Sequence, residues 1–290
     1  MNIIIGLCTF KRPSLLKLCL ESLASLDIPD GVNVKFVVVD NEPSDLNKDI
    51  IDAANFVYLS EEKRGLVNAR NTFLEYVARQ GADYIGFIDD DEVVPGNWLV
   101  DMLKSMDETQ ADAVSGPVEI IIPEHAPACL KYAYQFSKVK DYKPTKTLPM
   151  GNVFFKGELV IKGLRFDQKF NHTGGEDIDF FKRASENGAI LYRSPLGSVK
   201  EFLTPEKASL NAFYKRVLRV SSVHYKDKYP VMNAKFFVEI GLSFIELLLF
   251  LILTPLVIFS DKFKVKWVKV MAKFLGRFLS RKHTRIHHYG

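Results

Sequence analysis

The chain has few cysteines, and its first residues do not have the pattern expected of a secretion signal. Its 290 residues include three cysteines, Cys8, Cys19 and Cys129. An odd number without metal-site spacing indicates reduced thiols rather than a disulfide framework. Residues 1–7 are too short for the apolar part of a signal peptide and have the pattern of a buried first strand. We therefore expect a cytosolic protein.

The chain also lacks a strong overall charge, since its net charge is +4. That charge is unevenly placed, because residues 261–290 hold nine Lys/Arg and one acidic residue, a net +8. The remaining residues therefore carry about −4 (4 minus 8). A nucleic-acid-binding protein would need a basic face on its main domain, so that class is not expected.

No internal repeat and no low-complexity linker interrupts the first 230 residues. The length suits one large domain with an appendage. We expect a catalytic domain at residues 1–230 and a separate C-terminal region at residues 231–290.

Apolar strands alternate with amphipathic helices in the first half of the chain. This order predicts βαβ units and a mostly parallel, doubly wound α/β sheet. The expected strands are residues 3–8, 34–39, 56–59, 84–88, 113–121 and 150–155, and the expected helices are residues 13–25, 66–79, 176–187 and 210–223.

Polar residues follow three of these strands, at the edge where open α/β sheets bind ligands. They are residues 9–13, residues 40–42 and residues 89–92. Three polar strand ends on one sheet edge predict a binding crevice. Asp40 taken alone is equally explained as a turn or helix-capping aspartate.

Four consecutive acidic residues, Asp89 to Glu92, follow an apolar strand. Crowded carboxylates repel one another unless a cation neutralises them. Mg²⁺ and Mn²⁺ prefer carboxylate oxygens and often share their coordination with substrate phosphates. The alternation also directs Asp89 and Asp91 to the same side of an extended segment. A divalent-metal site is predicted, with a solvated acidic turn as the alternative.

A second acidic pair, Glu176 and Asp177, follows two glycines and opens an amphipathic segment. Acidic residues in a first helical turn often only complement the helix dipole. The glycines favour a functional interpretation, because they let the backbone approach a ligand closely. A carboxylate here could act as general base for an acceptor hydroxyl.

These fragments together resemble the family 2 glycosyltransferases with the GT-A fold, particularly bacterial exopolysaccharide and lipopolysaccharide members. The resemblance covers residues 3 to about 225. It depends on the order and spacing of residues 9–13, 39–41, 64–71, 89–91, 151–152, 166–167 and 175–177.

The resemblance implies a role for each matched position. Thr9, Arg12 and Asp40 would line the nucleoside pocket. Arg64 and Arg70 would shape the base and diphosphate side of the cleft. Asp89 would lie on the ribose side and also serve the metal, Asp91 would be the main metal ligand, and Asp90 would belong to the same donor site. Gly151 and Asn152 would border the donor sugar, Asp177 would be the catalytic base, and Glu176 would support it or contact the acceptor.

The resemblance also implies an inverting, in-line displacement on a nucleotide sugar, with Mg²⁺ or Mn²⁺ stabilising the leaving diphosphate. One position departs from the family pattern. Many relatives have a histidine after the strand near Val199, where this chain has Lys200, Glu201 and Phe202. Glu201 would be a weak substitute as a metal ligand.

The C-terminal region is apolar and basic. Residues 236–259 are nearly all apolar, although Glu239, Glu246 and Pro255 interrupt them. The following segment separates apolar residues from Lys262, Lys266, Lys269, Lys273, Arg277 and Arg281, a pattern typical of an interfacial helix on anionic lipid.

This region predicts an anchor at the cytoplasmic face of the inner membrane, where nucleotide sugars are available. A re-entrant or surface-lying helix is favoured over one true span or a dimer interface, because a single crossing would separate the basic tail from the catalytic domain. A lipid-linked saccharide is then the expected acceptor.

Two other function classes stay open. A phosphohydrolase of the haloacid-dehalogenase type also begins with an apolar strand and Asp-x-Asp. It expects Thr or Ser soon after the second Asp, whereas Glu92, Val93, Val94 and Pro95 follow here. A non-catalytic nucleotide-sugar-binding membrane protein is the third possibility.

Overall fold

The computed structural model describes residues 1–135, 139–171, 173–229, 231–257 and 260–280. The strands are β1 Asn2–Thr9, β2 Asn33–Asp40, β3 Val57–Ser60, β4 Tyr84–Phe87, β5 Glu92–Val93, β6 Ala113–Ser115, β7 Val118–Ile121, β8 Lys143–Thr145, β9 Val153–Lys156, β10 Leu191–Arg193 and β11 Val199–Phe202. The helices are α1 Pro13–Ala24, α2 Asp45–Ala53, α3 Leu66–Gln80, α4 Trp98–Thr109, α5 Leu130–Ala133, α6 Glu158–Ile161, α7 Glu176–Glu186, α8 Leu210–Lys228, α9 Ala234–Ile252 and α10 Asp261–Leu279.

The described strands form a large mixed sheet in the order β3-β2-β1-β4-β9-β6-β10-β8. The first four strands of this order are parallel, whereas β9 runs antiparallel to both β4 and β6. The fold is therefore α/β with a parallel-rich sheet, as the strand and helix alternation predicts. Because β1, β2 and β4 are parallel and adjacent, their carboxyl ends meet at one edge.

A smaller sheet, in the order β5-β11-β7, lies beside that edge. The single strand expected at residues 113–121 is wrong, because it divides into β6 in the large sheet and β7 in the small one. Gly116 lies at this break, and a Cβ there would stand 2.2 Å from the carbonyl oxygen of Gly197. The sequence pattern continues across the break because both strands are apolar.

Apolar side chains cover both faces of the large sheet. Along β1, Ile3, Ile5 and Leu7 point to one face, where α1 and α4 pack, and Ile4 points to the face covered by α3. Both clusters are fully buried, which explains the continuous apolar runs of the central strands. This rigid core fixes the strand ends that carry the polar residues.

Helix α10 packs against α8 at short range. A Cβ at Gly276 would lie 2.5 Å from the carbonyl oxygen of Leu218, so the two backbones approach closely there. Val265 and Ala272 of α10 are buried, with Val265 in a cluster that includes Cys129 and Phe213. The amphipathic helix predicted on the membrane surface is thus docked on the preceding domain along part of its length.

Helix α9 leaves an apolar face exposed. Val238, Leu242, Ile245, Leu249 and Ile252 repeat at helical spacing and are 55–74% accessible. In the ranges that the structure describes, no helix is both long and apolar enough to cross a membrane. Phe259 and Arg281 of the predicted anchor lie outside the described residues.

Candidate active site

The loop after β1 is tied to the acidic run after β4. Thr9 donates from Oγ1 to Oδ2 of Asp90 over 2.9 Å. Arg12 contacts Oδ1 of Asp90 at 3.0 Å and Oδ2 of Asp91 at 3.2 Å through Nη1. Its guanidinium offsets the repulsion between these two carboxylates, whose side chains are each 7% accessible. Burial nevertheless raises the pKa of Asp90 to about 6.

A second cation contacts the same oxygen of Asp91. Lys207, in the loop between β11 and α8, places Nζ 2.7 Å from Oδ2 of Asp91. The predicted metal carboxylate is therefore paired with two cations. Lys207 was not predicted, because its neighbours form an ordinary Pro-containing loop and nothing in their pattern indicates the long-range contact.

The small sheet brings further carboxylates to the same place. Glu92 of β5 pairs with Glu201 of β11 in register, and the Glu92 carboxylate accepts from the backbone N–H of Asp89 over 3.0 Å. Burial raises the pKa of Glu92, with Asp89 adding repulsion. Burial also raises the pKa of Glu201, where Arg216 opposes the shift and Asp91 reinforces it. Glu201 thus borders the acidic cluster.

Arg70 joins the acidic cluster to the start of α7. Its Nη1 donates to Oε1 of Glu176 over 2.7 Å, and its Nη2 lies 3.7 Å from Oδ1 of Asp89. The side chain is 5% accessible and lies between the rings of Phe87 and Phe166. Nε of Arg70 has no hydrogen-bond partner. Arg70 was predicted to shape the diphosphate side of the cleft, and it also contacts Glu176, which precedes the candidate base.

Helix α7 presents Asp177 in its first turn. Gly174 and Gly175 adopt positive φ values of 72° and 89°, and a Cβ on Gly175 would lie 2.5 Å from Cγ1 of Val223 in α8. The glycines are therefore required by backbone conformation and by packing against α8, rather than by approach to a ligand. Burial raises the pKa of Asp177 to about 6, Glu176 raises it further by repulsion, and Arg70 opposes the shift.

Asp40 is used differently from the prediction. It is fully buried and accepts from the N–H groups of Glu42 and Ser44 and from Nδ2 of Asn47. These are the contacts of a turn aspartate, which was the alternative explanation of its sequence position. Its predicted place in the nucleoside pocket is disfavoured, because its oxygens already serve the turn that leads into α2.

Asn41 fixes the neighbouring loop. Its Nδ2 donates to the carbonyls of Glu61 and Lys63, and its Oδ1 accepts from the N–H of Gly65, all within 2.9 Å. Arg64 follows this loop and pairs with Glu42 at 2.9 Å, with the Arg64 side chain 62% accessible. Arg64 is therefore exposed beside this loop, and its role on the nucleotide side stays a prediction.

Gly151 and Asn152, both predicted beside the donor sugar, have different surroundings. A Cβ on Gly151 would lie 2.6 Å from Oδ2 of Asp89, so a glycine leaves room for that carboxylate. Asn152 is fully buried. It accepts from Nε1 of Trp98 at 2.8 Å and donates to the carbonyls of Pro117 and Gly197 at 2.9 Å. The prediction for Asn152 is wrong, since both ends of its amide hold the core together.

The candidate metal ligands are carboxylates, which suit a hard divalent cation, although they are few. Across the described ranges, no group of three or more His, Cys, Asp and Glu side chains is arranged to hold a metal by itself. Asp89 and Asp91 remain as the candidate pair of carboxylates, and burial raises the pKa of Asp89, with repulsion from Asp91 adding to the shift. One or two carboxylates completed by phosphate and water is the usual share that a protein gives to Mg²⁺. The residues therefore fit the ion.

A parallel-rich sheet with acidic and basic side chains at its carboxyl edge defines an α/β protein with a candidate ligand site at that edge. Residues 4–157 match the family model of Glycosyl transferase family 2, more than half of the chain. The chain belongs to this family and is a glycosyltransferase.

A curated relative and several solved structures agree with this assignment. The succinoglycan biosynthesis protein ExoM of Rhizobium meliloti (strain 1021) is 29% identical over 245 residues, which cover 77% of this chain and 74% of that protein. The mannosyltransferase PcManGT of Pyrobaculum calidifontis, solved with GDP-Man and Mn²⁺, has a TM-score of 0.67 at 12% identity and covers 97% of this chain and 87% of its own.

The fold is also similar to that of S. aureus TarS. TarS 1-349 solved with UDP has a TM-score of 0.55 at 17% identity and covers 77% of this chain. This chain spans 65% of that TarS chain. A TarS 1-349 structure was also solved with UDP-GlcNAc, at a TM-score of 0.56. At these identities the similarity concerns the fold.

Proposed function

We propose that this glycosyltransferase moves a sugar, with inversion, from a nucleotide-sugar donor to a hydroxyl of a lipid-linked saccharide in cell-surface polysaccharide or lipopolysaccharide synthesis. The observation that carries the proposal is the contact of Arg70 with both Asp89 and Glu176. This contact links the predicted donor carboxylates, through a single side chain, to Glu176, the residue that precedes the predicted base Asp177. The named function of ExoM in succinoglycan biosynthesis supports the polysaccharide context.

A nucleoside diphosphate is the proposed leaving group, with UDP as the preferred nucleotide. Arg12 and Lys207 supply positive charge beside Asp91, and Arg64 supplies it at the rim. Such cations stabilise charge that develops on a departing diphosphate. The ligands of the similar folds, UDP, UDP-GlcNAc and GDP-Man, belong to this chemical class.

Asp177 is the proposed general base. Arg70 neutralises Glu176 at 2.7 Å, so Glu176 is held as a paired carboxylate. Asp177 has a pKa raised to about 6, chiefly by burial, which suits a group that accepts a proton near neutral pH. The acceptor hydroxyl loses its proton to Asp177 while its oxygen bonds to the anomeric carbon. The bond from that carbon to the diphosphate oxygen breaks on the opposite face, which inverts the centre.

Asp89 and Asp91 are the residues that would hold Mg²⁺ or Mn²⁺. When bound, the ion supplies Lewis-acid stabilisation of the leaving diphosphate. Arg12 and Lys207 balance the charge of Asp91 before any ligand enters. Glu92 orients Asp89 through the backbone N–H at 3.0 Å.

The proposed site of action is the cytoplasmic face of the inner membrane. The exposed apolar stripe of α9 would contact the acyl chains, and the exposed lysines Lys262 and Lys266 of α10 would face an anionic surface. The saccharide of a membrane-embedded, lipid-linked acceptor would then lie beside the catalytic domain.

Transfer can be tested with radiolabelled nucleotide sugars. A thermal-shift screen of UDP, GDP and dTDP sugars, with and without Mn²⁺, identifies the donor because native-state ligands raise the unfolding temperature. Product analysis then uses that donor with lipid extracts as the acceptor source. Label in the lipid fraction with an inverted anomeric centre supports the proposal. Release of inorganic phosphate would instead indicate a phosphohydrolase, and binding without turnover a non-catalytic protein.

A further inference from the structure

A cavity of about 690 Å³ lies between α8, α10 and the small sheet, away from the donor carboxylates. One face of α8 lines it from Phe213 to Lys228, and β7 contributes Val118 and Ile120 on the opposite side. Most of its lining surface is apolar, and nothing in the proposed donor chemistry uses it. Its volume is that of a small-molecule site.

The cavity carries an excess of positive charge. Arg216, Lys228, Lys269, Lys273 and Arg277 line it, against one carboxylate, Glu239, which pairs with Lys228. The last three cations repeat every fourth residue along α10 and therefore face the cavity as one stripe. Within the part of the chain that the structure describes, no carboxylate lies within ion-pair distance of these three.

Lys269 and Lys273 are exposed, and like charges four residues apart on one helix face repel one another unless an anion joins them. Lys273 shows this directly, since burial together with the charges of Lys269 and Arg277 lowers its pKa. Arg277 hydrogen-bonds to Ser243 of α9, which holds the guanidinium at the inner wall. The arrangement is complementary to a compact group with two or more negative charges.

One end of the cavity borders the active centre. Arg216 lines the cavity and lies 3.7 Å from Glu201, which belongs to the carboxylate cluster around Asp91. The same helix packs Val223 beside Gly175, at the start of α7. A ligand held by α8 and α10 can therefore extend toward Asp177.

The other end leads to the exposed face of α9. A second cavity of about 360 Å³ shares Lys228, Glu239 and Arg277 with the first and is also lined by Leu242. Leu242 is 60% accessible and belongs to the apolar stripe of α9. The path therefore runs from a polar centre, past clustered cations, to an apolar surface.

We propose that this cavity binds the diphosphate of the lipid-linked acceptor, with the lipid chain along α9 and the saccharide directed to Asp177. The order of charges and apolar surfaces along the cavity matches the order of groups in a lipid diphosphate saccharide. The proposal rests on the proposed function for the acceptor's sugar end, whereas recognition of a lipid diphosphate stands on the cavity itself.

Binding to the full-length protein provides the test, with farnesyl diphosphate as a soluble lipid diphosphate. We expect calorimetry to show tighter binding of farnesyl diphosphate than of inorganic pyrophosphate or farnesol, since only the first fills both parts of the path. The double variant Lys269→Gln/Lys273→Gln should weaken its binding by about tenfold or more, because each lost contact is a charge-assisted hydrogen bond. The matched control is Lys215→Gln/Lys226→Gln, which removes two exposed cations of α8 that do not line the cavity.

Three outcomes would overturn the proposal. Equal weakening by the cavity and control variants would mean that the cations act only through overall charge. Displacement of farnesyl diphosphate by UDP with Mn²⁺ would place the probe in the donor site. An equal effect of the double variant on phosphatidylglycerol vesicles would indicate a general site for anionic headgroups.

The donor side is measured separately in the same proteins. Nucleotide-sugar binding with Mn²⁺ should be unchanged in Lys269→Gln/Lys273→Gln, which would support two separate sites. If nucleotide sugars bind and farnesyl diphosphate does not, the cavity assignment fails while the proposed function stands. If farnesyl diphosphate binds through the two lysines and no nucleotide sugar binds, the lipid site stands and the proposed donor is wrong.

Discussion

At the scale of single residues, Arg70 explains much of the site. It is buried between two phenylalanine rings and bridges Asp89 and Glu176, which come from distant parts of the chain. Removing one partner of a buried ion pair leaves an uncompensated charge and costs about 3–5 kcal/mol. Arg70 therefore stabilises the fold as well as setting the charge of the site. An Arg70→Ala substitution would change both at once and would not test either role alone.

Asp91 is better suited to substitution, because it touches cations that can turn to solvent. We expect Asp91→Asn to abolish turnover and the metal-dependent part of UDP binding, with the fold intact. Calorimetry with UDP, with and without Mn²⁺, measures this difference. Asp107→Asn on the exposed side of α4 is the control. Undiminished activity in Asp91→Asn would refute the metal assignment.

Asp177 should separate chemistry from binding. We expect Asp177→Asn to lower kcat by several orders of magnitude with little change in donor affinity, because a base acts on the acceptor in the transition state. Asp179→Asn, in the same helical turn but paired with Arg183 at 2.7 Å, is the matched control. A parallel collapse of donor binding would make Asp177 a binding residue.

The same substitution should affect stability in the opposite direction to activity. The folded-state pKa of Asp177 is raised from 3.8 to about 6, so its contribution to stability is present below pH 3.8 and is lost as the pH rises through about 6. Asp177→Asn should therefore gain stability relative to the unsubstituted protein as the pH increases from acid to neutral. Urea unfolding of the variant and of the unsubstituted protein, once at acid pH and once at neutral pH, measures the difference in the free energy of unfolding.

The pH profile of catalysis should follow the same carboxyl group. A general base works when deprotonated, so kcat/KM should rise with pH through about 6 and level off above it. Asp90 also has a pKa of about 6, and it touches the donor side rather than the acceptor. Asp177→Glu should move the acid limb, whereas UDP binding should keep its own pH dependence. An unmoved limb would point to Asp90 instead.

The sequence indicated which strand ends form the candidate site. The contacts of the individual side chains there were harder to predict. Runs of acidic residues after an apolar strand are local signals, so the cluster at Asp89 and Asp91 was accessible to prediction. Asn152 was misassigned because its partners, Trp98, Pro117 and Gly197, are brought to it by the fold. Lys207 was missed for the same reason.

At the scale of secondary-structure elements, α8 and α10 form a close pair at Gly276. We expect Gly276→Ala to lower the free energy of unfolding by about 1–3 kcal/mol, because its Cβ would lie 2.5 Å from the carbonyl oxygen of Leu218. Gly241→Ala in α9 is the control, since no atom lies within 4 Å of its Cβ position. That change should stabilise the protein by up to about 1 kcal/mol.

Urea denaturation measures both variants. Equal stabilisation by the two alanines would show that α10 does not dock on α8. The comparison is direct because both glycines are helical and both substitutions add one methyl group, so the difference reports the packing at Leu218.

Elements with a strong period were predicted to within a few residues, among them β1, α3 and α7. Helices α2 and α4 and strand β8 were not predicted. Strand β8 is three residues long and contains Pro144, which is unusual inside a strand and suits its place at the edge of the sheet. The division of β6 from β7 depends on a close backbone contact with Gly197, which no local pattern reports.

At the scale of the whole molecule, the exposed stripe of α9 sets the expected membrane contact. Replacing Val238, Leu242, Ile245 and Leu249 with Gln should release the protein from anionic vesicles, while the unfolding temperature changes little because these side chains are 55–60% accessible. High salt should release the unsubstituted protein only partly, since apolar contacts are not screened. Vesicle co-sedimentation measures both effects.

Leu247→Gln is the matched control on the same helix. Because Leu247 is only 8% accessible, this substitution should destabilise the fold instead of acting on vesicle binding alone. Truncation after Tyr229 would be a less specific test, since it also strips α10 from α8. Vesicle binding that persists without the apolar stripe would contradict a membrane role for α9.

Because Arg70 is shared between Asp89 and Glu176, donor binding and the ionisation of Asp177 are expected to be coupled. A cation or a diphosphate–cation complex at Asp89 would shift Arg70 toward Glu176 and add positive potential near Asp177, and both effects would favour the ionised form of that carboxyl group. Donor binding would thereby be coupled to proton release, and thermodynamic reciprocity would make proton release strengthen donor binding by the same factor. At pH values near or below 6 the empty enzyme would then keep Asp177 largely protonated, and the carboxyl group would ionise when the donor is in place.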